Sequence, residues 1–109
     1  MKRRWQLVLA ALLLGGASAS LAADLAAGAA KAKEVCQACH GLDGNSQVPD
    51  YPKLGGQRSD YLAKALRDYK SGARKNAIMA GFAGTLSAAD IDNVAAYYAS
   101  QPPVLVVKH

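Results

Sequence analysis

Apolar residues recur at spacings of three and four in three stretches of the chain, which is the pattern of an amphipathic helix. These stretches predict helices over about residues 24–38, 60–71 and 88–100. The residues expected to face the interior are Leu25, Ala29, Ala32, Val35 and Cys39 in the first helix, Tyr61, Leu62, Ala65, Leu66 and Tyr69 in the second, and Ile91, Val94, Ala95 and Tyr98 in the third.

Polar residues and glycine mark the ends of these predicted helices. Asp24 and Ser59 are placed to cap the first and second helices, and Gly72 is a good stop for the second. Ser87 followed by Asp90 resembles a capping box at the start of the third.

Two long stretches between the helices are predicted to be loops. Residues 41–58 contain four Gly and two Pro, and residues 73–86 form a second, Gly-containing loop. Pro102 and Pro103 end the third helix, and Val104–Val107 is a short β-branched run with no assigned role. The predicted fold class is all-α, with three main helices joined by long loops. Loops of this length are usually functional.

The N-terminus has the layout of a secretory signal peptide. Lys2, Arg3 and Arg4 precede an unbroken apolar run over residues 7–14, and small residues follow. We expect residues 1–23 to be the signal peptide and residues 24–109 the domain, exported to the oxidising periplasm of a bacterial cell. The competing interpretation is a retained membrane anchor, since residues 5–23 contain no charge and could nearly span a bilayer.

Charge and size change once this segment is set aside. Three of the 13 basic residues lie in it, which leaves 10 basic and 8 acidic residues and a net charge of +2. The case for a nucleic-acid partner therefore loses its main support. Of the 41 apolar residues over 24–109, 17 are Ala, so a domain this small needs something else to supply buried volume. The composition favours a cofactor.

Residues 36–40 carry the sharpest chemical signal. The segment Cys36-Gln37-Ala38-Cys39-His40 has the Cys-x-x-Cys-His pattern at which c-type haem is attached. The two thiols can each form a thioether to one porphyrin edge, and the imidazole after the second Cys can reach the iron. The pattern predicts one covalent haem c, around which three helices and two loops can pack.

Three other interpretations of the two cysteines were weighed. A disulfide would close a very small loop and stabilise little. A thioredoxin-like redox pair needs a βαβ context, and no strand is predicted before Cys36. A zinc site needs four ligands, and adjacent Cys39 and His40 are poorly placed to share one ion with Cys36 and His109.

Met79 is the candidate for the second axial ligand of the iron. Apart from the initiator it is the only Met, and it follows His40 by 39 residues. A thioether ligand raises the reduction potential relative to a pair of histidines. A flexible core filler is the alternative role for Met79. His109 is the rival ligand, but it is the last residue, where fraying is expected.

At this point the sequence resembles a class I c-type cytochrome over nearly all of residues 24–101. Gly28 falls where the family has a glycine that lets the first helix cross the last closely, and Tyr97 and Tyr98 fall at the aromatic contact of that crossing. Segments resembling one half of the dihaem periplasmic cytochromes of proteobacteria are Asp43–Asn45, Tyr51–Gln57, Arg74–Met79 and Leu86–Ile91. With one haem motif, the chain resembles a monohaem, single-domain version of them.

The resemblance implies further site residues. Pro52 matches the position whose carbonyl accepts a bond from the ligand imidazole, and such a bond fixes the ring and tunes the iron. Gln57 and Arg58 are candidates to bind the haem propionates, although Arg58 could equally be a solvated surface charge. Leu54, Ile78 and Phe82 are our candidates for apolar haem contacts.

The function expected from these features is one-electron transfer in a periplasmic respiratory chain, by a soluble monomer that is not an enzyme. The expected partners are redox proteins met in weak, transient encounters, including membrane complexes: a donor such as a quinol-oxidising complex, and an acceptor such as a terminal oxidase or reductase. Two alternatives are a haem-bearing subunit of a membrane oxidase or dehydrogenase complex and a ligand-binding haem protein.

A group of cations lies on the second predicted helix and the loop after it. Such a face could steer acidic partners, but a solvated face is preferred at a net charge of +2. The group consists of Lys64, Arg67, Lys70, Arg74 and Lys75.

Overall fold

The computed structural model describes residues 22–104, and within that range the chain is helical with no strand. The elements are α1 (Leu25–Lys31), a π-helical turn (Ala32–Cys36), α2 (Gln37–His40), α3 (Ser59–Ser71), α4 (Ala77–Gly84) and α5 (Ala88–Ala99). The all-α prediction is confirmed. Residues 1–21 of the predicted signal peptide and residues 105–109, with His109 and most of the Val104–Val107 run, lie outside the described part.

The first predicted helix is present but is not one regular α-helix. Asp24 caps it as expected, with its side chain accepting a hydrogen bond from the N–H of Ala27 at 3.0 Å. The π-helical turn then carries the chain into α2 and the Cys-x-x-Cys-His segment. Such a turn contains one extra residue and is frequent at functional sites. The prediction that Leu25 faces inward is wrong, because Leu25 is half exposed and Gly28 is buried instead.

Helix α3 ends as predicted and begins slightly differently. Gly72 ends it with a left-handed conformation, at a φ of 86°. Ser59 does not cap it, because Ser59 is already the first helical residue and Arg58 precedes it without a side-chain cap. Tyr61, expected to face inward, is 50% exposed, whereas Leu62 and Ala63 are buried.

The prediction of a loop over residues 73–86 is wrong in its second half, which forms α4. The Asn76 side chain accepts a hydrogen bond from the N–H of Met79 at 3.0 Å and caps this helix. Gly81 and Gly84 suggested a loop from sequence, but both lie within α4 and neither has a neighbour that a Cβ would meet.

Helix α5 agrees with its prediction at nearly every point. Ser87 and Asp90 form the capping box through both reciprocal bonds. All four residues predicted to face inward are buried, namely Ile91, Val94, Ala95 and Tyr98. They form one core with Ala32, Leu62, Ala63 and Leu86.

The crossing of α1 over α5 fixes the frame of the molecule. A Cβ at Gly28 would lie 2.1 Å from the backbone oxygen of Asn93 and 2.9 Å from Tyr97 Cβ. Only glycine therefore allows the two helices to approach this closely, as the family resemblance implied. Among residues 22–104, no helix has the length and apolar character needed to cross a bilayer.

Candidate functional site

His40 ends α2 and is held in place by the loop that follows. Its side chain is buried, and its Nδ1 donates a hydrogen bond to the carbonyl oxygen of Pro52 at 2.9 Å. The Tyr51 ring lies near the imidazole, with ring centroids 6.3 Å apart. Because Nδ1 is engaged, Nε2 is the ring nitrogen available to a metal, and it makes no hydrogen bond within residues 22–104. The predicted bond between these two residues is thus present.

The two cysteines lie one turn apart, immediately before His40. Both are free thiols and both are partly buried, so they are not joined in a disulfide. Burial raises the pKa of the Cys36 thiol to about 11, and a hydrogen bond with Tyr98 partly opposes this effect. Both thiols are therefore available for another covalent bond.

The loop after α2 folds back so that Pro52 can reach His40. Its tight contact is between Gly44, at a φ of 73°, and Gly55, where a Cβ on Gly44 would come within 2.6 Å of the Gly55 nitrogen. The carbonyl of Gly44 accepts hydrogen bonds from the N–H of Leu54 at 2.7 Å and of Gly55 at 3.1 Å. The loop is thus cross-linked by its own backbone just after Pro52.

Two consecutive tyrosines of α5 reach the turn that follows His40. The Tyr98 hydroxyl donates to the carbonyl of Gly41 at 3.0 Å, and the Tyr97 hydroxyl donates to the carbonyl of Leu42 at 2.6 Å. Tyr98 is only 1% exposed, whereas Tyr97 is partly exposed. Burial, followed by the nearby Cys36, raises the pKa of Tyr98, so its hydroxyl keeps its proton.

Met79 lies in the first turn of α4 and is partly buried. Two larger apolar side chains flank it on the outward face of the helix: Ile78 is 64% exposed and Phe82 is 43% exposed. They lie one helical turn apart and form an apolar strip beside Met79. Leu54, the other predicted apolar contact, is partly buried and packs against the core.

Arg58 lies on the surface. It forms a salt bridge with Asp60 at 2.9 Å, and both side chains are largely exposed. The Gln57 side chain accepts a hydrogen bond from the backbone N–H of Arg58 at 3.0 Å. The prediction that Arg58 binds a propionate stays a prediction.

The cations of α3 and the loop after it are mostly bonded within the chain. Lys64 pairs with Asp68, Arg67 pairs with Asp92, and Lys70 donates to the carbonyl of Leu86. Arg74 lies over the Tyr69 ring, 4.7 Å from its centroid. These contacts favour the solvated-face interpretation, since paired cations contribute less to a long-range field.

These residues fit a covalently attached haem. Two free thiols precede a buried histidine with one nitrogen uncommitted, and an apolar strip lies beside a thioether. Residues 22–104 hold no cluster of three or more His, Cys, Asp or Glu side chains able to bind a metal ion without further help.

Two features of the site escaped the sequence analysis. Asn76 was not recognised as a cap, although an Asn three residues before Met79 is a cap signal that could have been used. The hydroxyl bonds of Tyr97 and Tyr98 to the turn after His40 link residues more than 50 positions apart, and no local pattern indicates them.

Comparison with known proteins agrees with this geometry. Residues 23–97 match the family model described as cytochrome c oxidase, cbb3-type, subunit III. Cytochrome c4 of Pseudomonas aeruginosa is 52% identical over 83 residues, which cover 76% of this chain and 41% of the relative. Cytochrome c-554(548) of Halomonas halodenitrificans is 46% identical over 83 residues, which cover 73% of this chain and 99% of the relative.

A solved structure shares the fold. The crystal structure of reduced recombinant cytochrome c4 from Pseudomonas stutzeri matches with a TM-score of 0.69 and 44% identity, over 74% of this chain and 47% of that one. The chain thus spans less than half the length of the cytochrome c4 proteins that it matches.

Proposed function

The chain belongs to the cytochrome c family, in which it is a monohaem class I member with haem c attached through Cys36 and Cys39, and we propose that it is a one-electron carrier. When bound, the haem supplies reversible exchange of a single electron. The observation that carries the proposal is the hydrogen bond from His40 Nδ1 to the carbonyl of Pro52. This bond fixes the orientation of the imidazole and leaves Nε2 free, in the residue that follows the two free thiols.

His40 and Met79 are the proposed axial ligands. The bond to Pro52 holds the imidazole as the tautomer with a proton on Nδ1 and increases its basicity. The Asn76 cap fixes the backbone of Met79 at the start of α4. If both residues held the iron of a bound haem, no position would be left on it for a substrate, and the protein would act as a carrier rather than as an enzyme.

The apolar strip of Ile78 and Phe82, together with Leu54, is proposed to pack against the cofactor and to exclude water. This would bury side chains that are exposed in the protein alone and would supply the core volume that an Ala-rich chain lacks. Arg58 is proposed to bind a propionate, which requires it to leave Asp60. That exchange costs little, because an ion pair between exposed side chains contributes little to stability.

We propose that the carrier works in the bacterial periplasm, exported by a signal peptide over residues 1–23. The charged start, the apolar run and the small residues before Asp24 support this. Intact-mass measurement of the protein from a periplasmic extract tests it. The expected mass is that of a chain beginning at residue 20, 23 or 24, plus one haem. An unprocessed protein in the membrane fraction would instead support the retained anchor.

The proposed partners are a quinol-oxidising complex as donor and a terminal oxidase or reductase as acceptor, met transiently by a monomer. One observation favours a second candidate function, a haem-bearing subunit of a membrane complex: the matching family model carries the description of an oxidase subunit. Purification from mild detergent separates the two. Elution at the size of a single processed chain supports a free carrier, and co-elution with a membrane complex supports the subunit.

The optical spectrum of the ferric protein, followed into the near infrared, tests the ligand assignment. A weak sulfur-to-iron charge-transfer band is expected in the parent protein and in Ile78→Ala, a neighbouring apolar truncation, and is expected to be lost in Met79→Ala. A parent protein that lacks this band, is high-spin and binds carbon monoxide when reduced would have an open iron. It would then be a ligand-binding haem protein.

A further inference from the structure

We propose that the Tyr98 hydroxyl is a positioning residue for His40, which it serves by anchoring the turn that follows this histidine. This inference rests on the proposed function in one respect, that His40 is an axial ligand. Tyr98 lies on α5, in the last turn of a helix that is otherwise occupied with core packing. Its role would therefore extend from the core to the reduction potential.

Tyr98 makes several contacts with the segments around His40. Its hydroxyl donates to the carbonyl of Gly41 at 3.0 Å. Its ring edge lies against Gly44, where a Cβ would approach Tyr98 Cδ1 to 2.8 Å. Its own carbonyl accepts from the N–H of Gly56 at 3.0 Å. One buried residue thus contacts the residue that follows His40 and both arms of the loop.

These contacts reach His40 by a short route. Gly41 is the next residue in the chain and reverses its direction with a φ of 79°. The two arms of the loop meet where Leu54 and Gly55 bond to the Gly44 carbonyl, and this meeting point fixes the position of Pro52, two residues before Leu54. The His40 Nδ1 to Pro52 bond therefore spans two segments that are both tied to Tyr98.

Removal of the hydroxyl alone should loosen that bond. Tyr98→Phe keeps the ring against Gly44 but removes one of the two donors to the partly buried Gly41 carbonyl, which then keeps only the N–H of Gly44 at 3.2 Å. Loss of a hydrogen bond at such a position weakens the hold on the turn. A longer bond from Nδ1 to Pro52 makes the imidazole less basic, and a less basic ligand stabilises the ferric state less. We expect the ratio of ferrous to ferric protein at a fixed ambient potential to rise about threefold, or roughly 30 mV for a one-electron couple.

The chain supplies a matched control in the neighbouring tyrosine. The Tyr97 hydroxyl donates to the Leu42 carbonyl, one residue further from His40, and its contacts differ from those of Tyr98 because it packs against Gly28 rather than Gly44. Leu42 is exposed, so water can replace the lost hydroxyl. Tyr97→Phe removes an equivalent bond from the same helix end, and its expected effect on the redox ratio is less than about 1.5-fold.

The experiment measures reduction potentials of the haem-loaded parent, Tyr98→Phe and Tyr97→Phe by spectroelectrochemical titration. The Nδ1 proton of His40 is followed by NMR in the ferrous proteins. A raised potential and an upfield Nδ1 proton in Tyr98→Phe alone are expected. An unchanged potential in Tyr98→Phe, or equal shifts in both variants, would overturn the proposal, even if thermal stability falls.

A second variant covers poor folding of Tyr98→Phe. Site-specific 3-fluorotyrosine at position 98 keeps the hydroxyl and makes it a stronger donor, so the potential should fall rather than rise. No shift would contradict the proposal. The near-infrared band of the parent reports the ligands independently, so the proposed function and the role of Tyr98 can fail separately.

Discussion

The side chain of Asn76 accepts a hydrogen bond from the backbone N–H of Met79 at 3.0 Å. The residue that caps α4 is thus bonded to the backbone of the residue proposed as the sulfur ligand. Asn76→Ala should cost about 1 kcal/mol in the first turn of α4. If that turn frays, Met79 competes less well for iron. The affinity of the ferric protein for external imidazole, followed by spectral titration, should then rise about fivefold.

Asn76→Asp is the matched control for this variant, because Asp is an equally good cap. It should keep the imidazole affinity within about twofold of the parent. Equal affinities in Asn76→Ala and the parent would show that the cap and the ligand are independent.

Gly28→Ala should separate α1 from α5. The new Cβ would lie 2.1 Å from the Asn93 oxygen, a backbone atom that cannot move without the helix. We expect a loss of about 2–3 kcal/mol in the free energy of unfolding, measured by urea titration with circular dichroism. Gly81→Ala, on the open face of α4 where nothing lies within 4 Å of the new Cβ, should instead stabilise by roughly 0.5–1 kcal/mol. Similar losses in both variants would disprove the close crossing.

The capping box of α5 should make part of the stability depend on pH. A hydrogen bond from the Ser87 backbone N–H holds the pKa of Asp90 below its ordinary value of 3.8. A carboxylate whose pKa is lower in the folded state stabilises the fold at pH values above its pKa in the unfolded chain. This stabilisation is lost as the pH falls through the folded-state pKa. Asp90→Asn should therefore be less stable than the parent at pH 7, and the difference should shrink below pH 3.8.

Ser87→Ala provides the contrast, because the Ser87 hydroxyl, which accepts a hydrogen bond from the Asp90 N–H, carries no charge that changes with pH. Its loss of about 1 kcal/mol should persist from pH 7 into the acid range. Thermal unfolding of the three proteins across pH gives both curves. An Asp90→Asn difference that is constant with pH would contradict the assignment.

The paired cations of α3 should contribute little to association. Lys64 and Arg67 each face an Asp within the chain. Lys64→Gln or Arg67→Gln should change the rate of oxidation by the anion ferricyanide by less than about twofold at low ionic strength. Arg74→Gln removes a cation that lies over the Tyr69 ring, and its effect should be larger. A steep salt dependence that vanishes in Lys64→Gln would restore the steering interpretation.

Local signals were enough to predict α5 and the haem-attachment segment. The capping box of Ser87 and Asp90 and the spacing of Ile91, Val94 and Tyr98 are contained within a dozen residues. The same holds for Cys36, Cys39 and His40, whose chemistry depends on spacing along one turn. The bond from His40 to Pro52 came from family resemblance, since no local rule places that carbonyl.

Helix α4 and the π-helical turn depend on competition that local rules do not resolve. Gly81 and Gly84 weaken a helix by entropy, but the Asn76 cap and the packing of Ala83 in the interior outweigh them. Leu25 and Tyr61 fit the helical pattern yet are exposed. In this domain the cofactor is expected to cover part of the apolar surface. The spacing of apolar residues in the sequence therefore does not distinguish residues that pack against protein from those that pack against the cofactor.

The π-helical turn over Ala32–Cys36 changes the direction in which the side chains after it point, relative to the side chains before it. Gly28 must face α5, and eight to twelve residues later Cys36 to His40 must present their side chains to the cofactor. The one extra residue in the wide turn rotates the second group by about 100° relative to the first. The length of this segment is therefore constrained more tightly than its composition. At the exposed positions Lys33 and Glu34 a change of side chain should be tolerated where a single-residue deletion is not.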